Sequence, residues 1–277
     1  MEELQCCVVS CEKPLDQTYW ESQYQTNSTG WDLGEVSPPI KSYIDTLKDK
    51  NIRILIPGCG NTYEADYLLE QGFTNVTVID IAPTLVENLK TKFKDNPNIN
   101  IVLGDFFEHQ DVYDLIIEQT FFCALPPPLR QKYVWKMHQL LSRKGKIAGL
   151  LFNRTFESGP PFGGSQEEYT LLFQQAFHFL KMEVCQNSVA PRAGSELFIE
   201  LQKNSEVLVN LYSFEGITCS GCKNTVSEKL SALESVLNVS MSSNFAEVLI
   251  VSKSEIALET LQKEITYDAK YKIGQKL

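Results

Sequence analysis

Ile52-Arg53-Ile54-Leu55-Ile56-Pro57-Gly58-Cys59-Gly60, followed by Val76-Thr77-Val78-Ile79-Asp80, sets the architecture of this chain. Both apolar runs are rich in β-branched residues and lack the polar alternation of a half-exposed strand, so each reads as a strand buried on two faces. The interval between them, Glu64 to Gln71, has helical spacing, and a second helix is expected from Pro83 to Lys94. The rhythm continues with strands at Ile99 to Leu103 and Tyr113 to Ile117, a helix from Leu129 to Leu141, and a strand from Lys146 to Phe152. Strands separated by helices pair in parallel through right-handed crossovers, giving an α/β, Rossmann-like open sheet whose ligands bind beyond the carboxyl ends of the strands. Two further strands, Met182 to Gln186 and Glu196 to Leu201, flank the turn-like Pro191-Arg192-Ala193-Gly194 and suit an antiparallel edge.

The polar stretch Gln202-Lys203-Asn204-Ser205 interrupts this pattern and divides the chain into residues 1–203 and 204–277. Beyond it lie a strand (Val207 to Phe214), a helix (Cys222 to Leu233), two strands (Val236 to Met241 and Ala246 to Val251), a helix (Ile256 to Lys263) and a short strand around Tyr271 to Ile273. A βαββαβ order in this length is that of a ferredoxin-like α+β sandwich.

The 277 residues, 43% hydrophobic, 22% charged and 10% aromatic, lie within the range of ordinary globular chains, which excludes fibrous and wholly disordered classes. Lys and Arg number 25 against 35 Asp and Glu, a net charge of −10 with no basic cluster, so nucleic acid is not an expected partner. No apolar stretch approaches the roughly 18 to 20 residues of a membrane span, and Met1-Glu2-Glu3 is no export signal, so a cytoplasmic protein is expected. The eight cysteines are then thiols, serving as packing, metal ligands or reactive groups. Cys6, Cys7 and Cys11 lie in a tail expected to be mobile.

Gly58 and Gly60 follow a buried strand and precede a helix, where absent side chains let the backbone approach a cofactor. Asp80, twenty residues past Gly60, ends the next strand and either accepts from both ribose hydroxyls of a nucleotide or caps the following turn. A dinucleotide site wants a third glycine beneath the pyrophosphate, and Tyr63 stands there. S-adenosylmethionine has no pyrophosphate, so the departure favours a methyl donor over a nicotinamide. Asp105 with Phe106 and Phe107 at the third strand's end suits an adenine, and Glu118 and Gln119 at the fourth strand's end lie near the expected reactive carbon; loop capping and core packing are the alternatives.

Trp20-Glu21-Ser22-Gln23-Tyr24, Gly30-Trp31-Asp32-Leu33-Gly34, the Gly58 loop, Phe121-Phe122-Cys123-Ala124 and Gly159-Pro160-Pro161-Phe162 together resemble the thiopurine S-methyltransferase family, notably its plant and bacterial thiol and halide methyltransferase branch. The resemblance spans about residues 18 to 203. It implies a class I methyltransferase sheet with an aromatic N-terminal arm over S-adenosylmethionine. On that basis Trp20, Tyr24 and Trp31 line the methionine end, Gly58 the loop, Asp80 the ribose, and Asp105 with Phe106 the adenine. Tyr24 stands where plant relatives have Trp, and Gln119 where they have Tyr. A sulfonium cation over an electron-rich ring gains about 0.5 to 2 kcal/mol.

Methyl transfer to a thiolate or another soft nucleophile is an in-line displacement that alignment and water exclusion can promote without a strong base. Accordingly no catalytic residue is assigned. His109 on a loop, with His138 and His178 on amphipathic helices, read as structural; Arg154 and Arg192 either hold an anionic acceptor group or are solvated; Cys59 and Cys123 read as packing.

Gly216-Ile217-Thr218-Cys219-Ser220-Gly221-Cys222 runs from a strand into a helix, placing two thiols of lowered pKa at a helix N-terminus. The stretch resembles the heavy-metal-associated domain of copper chaperones and metal-transporting ATPases, over about residues 206 to 277. The resemblance implies Cys219 and Cys222 as ligands of a soft ion, Cu(I) foremost, or Zn(II), Cd(II) or Hg(II). A thioredoxin-type dithiol is the competing reading, but belongs to a larger domain of different order. Two thiolates leave a tetrahedral site incomplete, so a monovalent metal or a metal-donating or metal-accepting protein is implied.

The whole reads as a cytosolic S-adenosylmethionine-dependent methyltransferase for a small thiol or soft anion, fused to a soft-metal module in metal or metalloid detoxification. The alternative is a metal-trafficking protein with an inactive methyltransferase-like scaffold.

Overall fold

A computed structural model describes residues 14–276. Cys6, Cys7 and Cys11 lie outside the described residues. Strands β1 (Ile54–Pro57), β2 (Val76–Asp80), β3 (Ile99–Leu103), β4 (Tyr113–Gln119), β5 (Leu141–Phe152), β6 (Phe177–Val184) and β7 (Glu196–Lys203) form one sheet in the order β3-β2-β1-β4-β5-β7-β6. The first five are mutually parallel. β7 is antiparallel to both neighbours and inserts between β5 and β6, so the expected antiparallel pair is present but its later strand is the inner one. β1 and β2 are buried at every position, as their unbroken apolar text requires.

Helices α1 (Gln17–Gln25), α2 (Pro38–Thr46), α3 (Tyr63–Glu70), α4 (Pro83–Lys92), α5 (Arg130–Leu140) and α6 (Gln166–Phe173) connect and cover the strands. α1, α2 and α6 were not foreseen. They are short, 8 or 9 residues each, and are defined by their starts: Asp16 caps α1, Pro38 and Pro39 open α2, and Ser165 accepts from the Glu168 N–H at the head of α6. His178 is corrected from helix to strand. It lies in β6 opposite Gln202 of β7, because the segment's second half pairs along an edge whose exposed side gives only a weak sequence period.

The C-terminal unit contains β8 (Leu208–Glu215), α7 (Ser220–Ser231), β9 (Val236–Met241), β10 (Glu247–Ser252), α8 (Leu258–Ile265) and β11 (Lys272–Lys276). Its strands lie in the order β11-β8-β10-β9, all antiparallel, the ferredoxin-like arrangement. One sheet face packs Tyr212, Phe214, Val248 and Ile250 against Val226, Leu230, Leu261 and Ile265 of α7 and α8. The opposite face carries Val209, Leu211, Leu249 and Val251, which join the same apolar cluster as Tyr133, Val134, Trp135 and Met137 of α5. The core therefore continues across the polar stretch at 202–205. Among the described residues no helix is long and apolar enough to cross a membrane.

Candidate functional site

The chain leaves β1 through a turn that only glycine tolerates well. Gly58 and Gly60 have φ of +53° and +50°. A Cβ on Gly58 would lie 2.2 Å from Cδ2 of Phe121, so the ring occupies the space a side chain would need. The Gly60 N–H donates to Asp80 Oδ2 at 3.2 Å, while Asp80 Oδ1 accepts from the Ala82 N–H at 3.0 Å. One carboxylate thus ties the glycine turn to the head of α4. Burial raises the Asp80 pKa, opposed by these backbone donors.

Beyond this sheet edge lies a cavity of about 900 Å³. Gly58, Asp80, Asp105 and Phe106 line one side, and Trp20, Tyr24 and Trp31 the side formed by the N-terminal arm. Asp105 also accepts from the Phe107 N–H at 2.8 Å, which turns the loop after β3. Trp31 meets Trp20 edge-on at 5.6 Å and Tyr24 at 6.1 Å, so the three aromatics share one cage. Burial and the neighbouring Asp80 charge push the Tyr24 phenol above its ordinary value.

No residue of α1 is completely buried, but Tyr24 packs against the core, and polar contacts add to the hold on the helix. Glu21 accepts from the Thr84 N–H at 3.0 Å and pairs with the Thr84 hydroxyl, and Gln17 Nε2 donates to the Ile81 carbonyl at 3.1 Å. Both anchors lie just past Asp80, so the arm is fastened to the turn it covers.

The far end of the cavity is lined by Phe121, Cys123, Phe152, Pro160 and Arg192. Arg192 is mostly buried; its Nη2 donates to the Trp31 carbonyl at 2.9 Å, and its Nη1 lies 3.6 Å from Glu196 Oε1. Nη1 has no hydrogen-bond partner among the described residues. Arg154, the other candidate, lies over the Phe156 ring outside this lining. Cys123 touches the cavity, but burial drives its thiol pKa upward, so it stays protonated.

Glu118 and Gln119 are placed differently from expectation. Glu118 is fully buried behind the wall: Oε1 accepts from the Phe121 and Phe122 N–H groups at 2.9 Å each, and Oε2 accepts from the Tyr133 hydroxyl at 2.9 Å. Desolvation pushes its pKa up to about 7. Gln119 Oε1 accepts from the Ser37 hydroxyl at 3.1 Å. The structure brings together Trp20, Tyr24, Trp31, Gly58, Asp80, Asp105 and Phe106, sets Gly60 beside them, and puts Glu118 and Gln119 in the supporting layer. Phe121 as a wall residue escaped sequence reasoning, although its motif had been singled out.

In the C-terminal unit Cys219 caps α7 and accepts from the Cys222 N–H at 3.4 Å; the two sulfurs are 3.1 Å apart. Hydrogen bonds from the Cys222 thiol and from backbone hold the exposed Cys219 thiol below its ordinary pKa. Among the described residues no group of three or more His, Cys, Asp or Glu is arranged to hold a metal ion, so the pair offers two soft ligands and an open side. That donor set suits a soft, low-coordinate cation.

The family model for thiopurine S-methyltransferase matches residues 15–209, and that for the heavy-metal-associated domain matches residues 211–272. A probable thiol methyltransferase 2 of Arabidopsis thaliana is 33% identical over 193 residues, covering 67% of this chain and 85% of the relative. Thiocyanate methyltransferase 1 of Brassica oleracea is 27% identical, covering 66% of this chain and 83% of its own. Among solved structures, 1,6-didemethyltoxoflavin-N1-methyltransferase of Burkholderia thailandensis, crystallised with S-adenosylhomocysteine, superposes with a TM-score of 0.55 at 18% identity, over 68% of this chain and 86% of that one, a likeness of fold.

Proposed function

Because this chain belongs to the thiopurine S-methyltransferase family, we propose that it transfers a methyl group from S-adenosylmethionine to a small thiol or other soft anion held at the Arg192 end of the cavity. One observation carries the reading: a single cavity joins the Gly58, Asp80 and Asp105 cradle to the aromatic cage and to a buried guanidinium. Two glycines of left-handed φ, a carboxylate beyond each of two adjacent strands and apolar walls suit an adenosyl group.

When bound, S-adenosylmethionine supplies a methyl carbon already activated by its sulfonium. Asp80 and Asp105 offer acceptors to the nucleoside hydroxyls and amine. Trp20, Tyr24 and Trp31 cover the cationic end with electron-rich faces. Arg192 favours the anionic form of an acceptor in a poorly solvated space, and its bond to the Trp31 carbonyl couples the acceptor end to the arm. Apolar walls from Phe121, Phe152 and Pro160 exclude water, so alignment and desolvation supply the rate without a general base.

The two plant relatives named above are, by name, a probable thiol methyltransferase and a thiocyanate methyltransferase, which supports a soft sulfur acceptor here. The same softness characterises the Cys219 and Cys222 pair, whose ion is proposed to be Cu(I), with Zn(II), Cd(II) or Hg(II) as alternatives. We assign the fusion to metal or metalloid detoxification in the cytoplasm. The test offers labelled methyl donor with hydrosulfide, thiocyanate, iodide, aromatic thiols, arsenite and selenite. Transfer to sulfur acceptors is expected; no transfer to any of them, with copper still bound, would leave a metal carrier in place of an enzyme.

A further inference from the structure

A ferredoxin-like βαββαβ unit has helices on one sheet face only, so its second face usually meets water and reads polar. Here it does not. On β8 and β10, Val209, Leu211, Leu249 and Val251 are all less than a tenth exposed, and they are covered by α5 of the methyltransferase unit. α5 is correspondingly buried over most of its surface: Gln131, Tyr133, Val134, Trp135, Lys136, Met137 and His138 are each no more than 8% exposed, although the helix is rich in polar residues.

The two sides of α5 do different things. Towards the cavity, Tyr133 donates to Glu118, which holds the Phe121 and Phe122 N–H groups, and Arg130 Nη2 donates to the Gly163 carbonyl at 2.6 Å, beside the Pro160 segment. Towards the C-terminal sheet, Gln131 Nε2 donates to Ser240 Oγ at 3.0 Å and to the Met241 carbonyl at 3.2 Å. Lys132 belongs to both sides. Its ammonium lies 5.0 Å from the ring centre of Phe107, a cavity residue, and its charge acts on Glu247 of β10. Gln131, Met241 and Glu247 lie at the end of the sheet from which β8 leads into the Cys219 loop, because β9 and β8 point the same way across antiparallel β10.

Four of the buried polar atoms without a hydrogen-bond partner lie along this contact: Gln131 Oε1, Trp135 Nε1, Asn238 Nδ2 and Glu247 Oε2. An interface with an apolar centre and unpaired polar groups at one side is one that can loosen, since water satisfies those groups when it opens.

We propose that the C-terminal unit covers α5 and opens from it by unfolding, and that a soft metal bound at Cys219 and Cys222 stabilises the methyl-transfer cavity by opposing that opening. β8 carries Val209 and Leu211 of the face seated on α5 and also leads into the thiol pair, so when the unit opens by unfolding it loses the contact and the metal site together, and metal binds only the folded, seated state. Mass action then favours the state in which the sheet is seated on α5 and α5 in turn holds the Phe121 turn. Linkage is reciprocal: cofactor bound in the cavity tightens metal binding by the same factor. The proposal rests on reading Cys219 and Cys222 as a soft-metal pair.

Hydrogen exchange on the full chain tests it, with cadmium as the probe and its thiolate absorption band reporting occupancy. With metal at about ten times its dissociation constant, protection that depends on the opening should rise by about elevenfold. That gain is expected in α5 and in residues 121–124 as well as around 216–232, and should vanish in Cys219→Ser plus Cys222→Ser. A cadmium band with protection confined to 216–232 overturns the coupling and leaves the metal reading standing. Absence of a band, or a band unchanged in the double variant, overturns the metal reading and the coupling with it.

Discussion

The Phe121 ring lies against Gly58 so closely that a Cβ on the glycine would fall 2.2 Å from Cδ2. The glycine turn and the wall of the acceptor end are therefore one contact. Gly58→Ala has to displace the ring and to hold a left-handed φ that costs an alanine about 1 to 2 kcal/mol. We expect affinity for S-adenosylhomocysteine, measured by calorimetry, to fall at least about tenfold while far-ultraviolet circular dichroism is retained.

The aromatic cage should distinguish a cation from a neutral analogue. Trp31→Leu keeps apolar bulk and removes the electron-rich face that Trp20 and Tyr24 help enclose. Loss of about 0.5 to 2 kcal/mol of cation stabilisation weakens S-adenosylmethionine by about 2- to 30-fold. Binding of the uncharged S-adenosylhomocysteine should weaken less; equal losses would refute a role for the ring face.

Glu118 is buried with its pKa pushed up to about 7 by desolvation. An acid whose folded pKa is raised binds its proton more tightly when folded, so its contribution is complete below the unfolded value near 4.5 and is lost as pH rises through about 7. Glu118→Gln mimics the protonated form. Thermal melts should show the variant losing less stability than the parent between pH 5 and 8, with a remaining slope from Glu64, also near 7 through burial.

His138 acts in the opposite direction over an overlapping range. Burial holds its pKa down to about 4, and Nε2 lies 3.0 Å from the Asn204 carbonyl in the segment joining the two units. A base with a depressed folded pKa contributes stability above its unfolded value near 6.5 and loses it as pH falls towards 4. Across that window His138 opposes the gain that Glu118 and Glu64 give on acidification, so chemical denaturation should show His138→Gln gaining more stability than the parent as pH falls.

Arg192 and Glu196 are 3.6 Å apart, with the carboxylate only 3% exposed. Removing one member of such a pair strands the other, at about 3 to 5 kcal/mol. Urea unfolding should place Arg192→Ala in that range, whereas Arg192→Ala with Glu196→Ala should recover a large part of the loss. Failure of the double variant to recover would mean that the Trp31 contact, not the ion pair, dominates.

Much of the frame was legible in order along the chain. The unbroken apolar text of β1 and β2, the Gly58 turn, Asp80 at its strand end and the βαββαβ order all depend on residues a few positions apart, and local spacing carries them. Helices α1, α2 and α6 were not legible: α3 and α8 are as short but stand between strands that could be read, whereas α1 and α2 precede the first strand and α6 follows a loop rich in glycine and proline. Glu118 was legible as a carboxylate at a strand end but not in its direction. Whether it faces a ligand or the N–H groups of Phe121 and Phe122 depends on how the following turn folds back and where Tyr133 arrives from α5.

The sequence by itself determined the strand and helix order of both sheets, the glycine turn after β1 and the spacing of Cys219 and Cys222, since each follows from residue types at short separations. Tertiary structure alone decided that the apolar second face of the small sheet would be buried on α5, and that Gln131 would donate across the contact to Ser240 Oγ and the Met241 carbonyl. Segments far apart along the chain meet there, and burying their apolar surfaces together favours the contact without leaving a trace in either segment that names its partner.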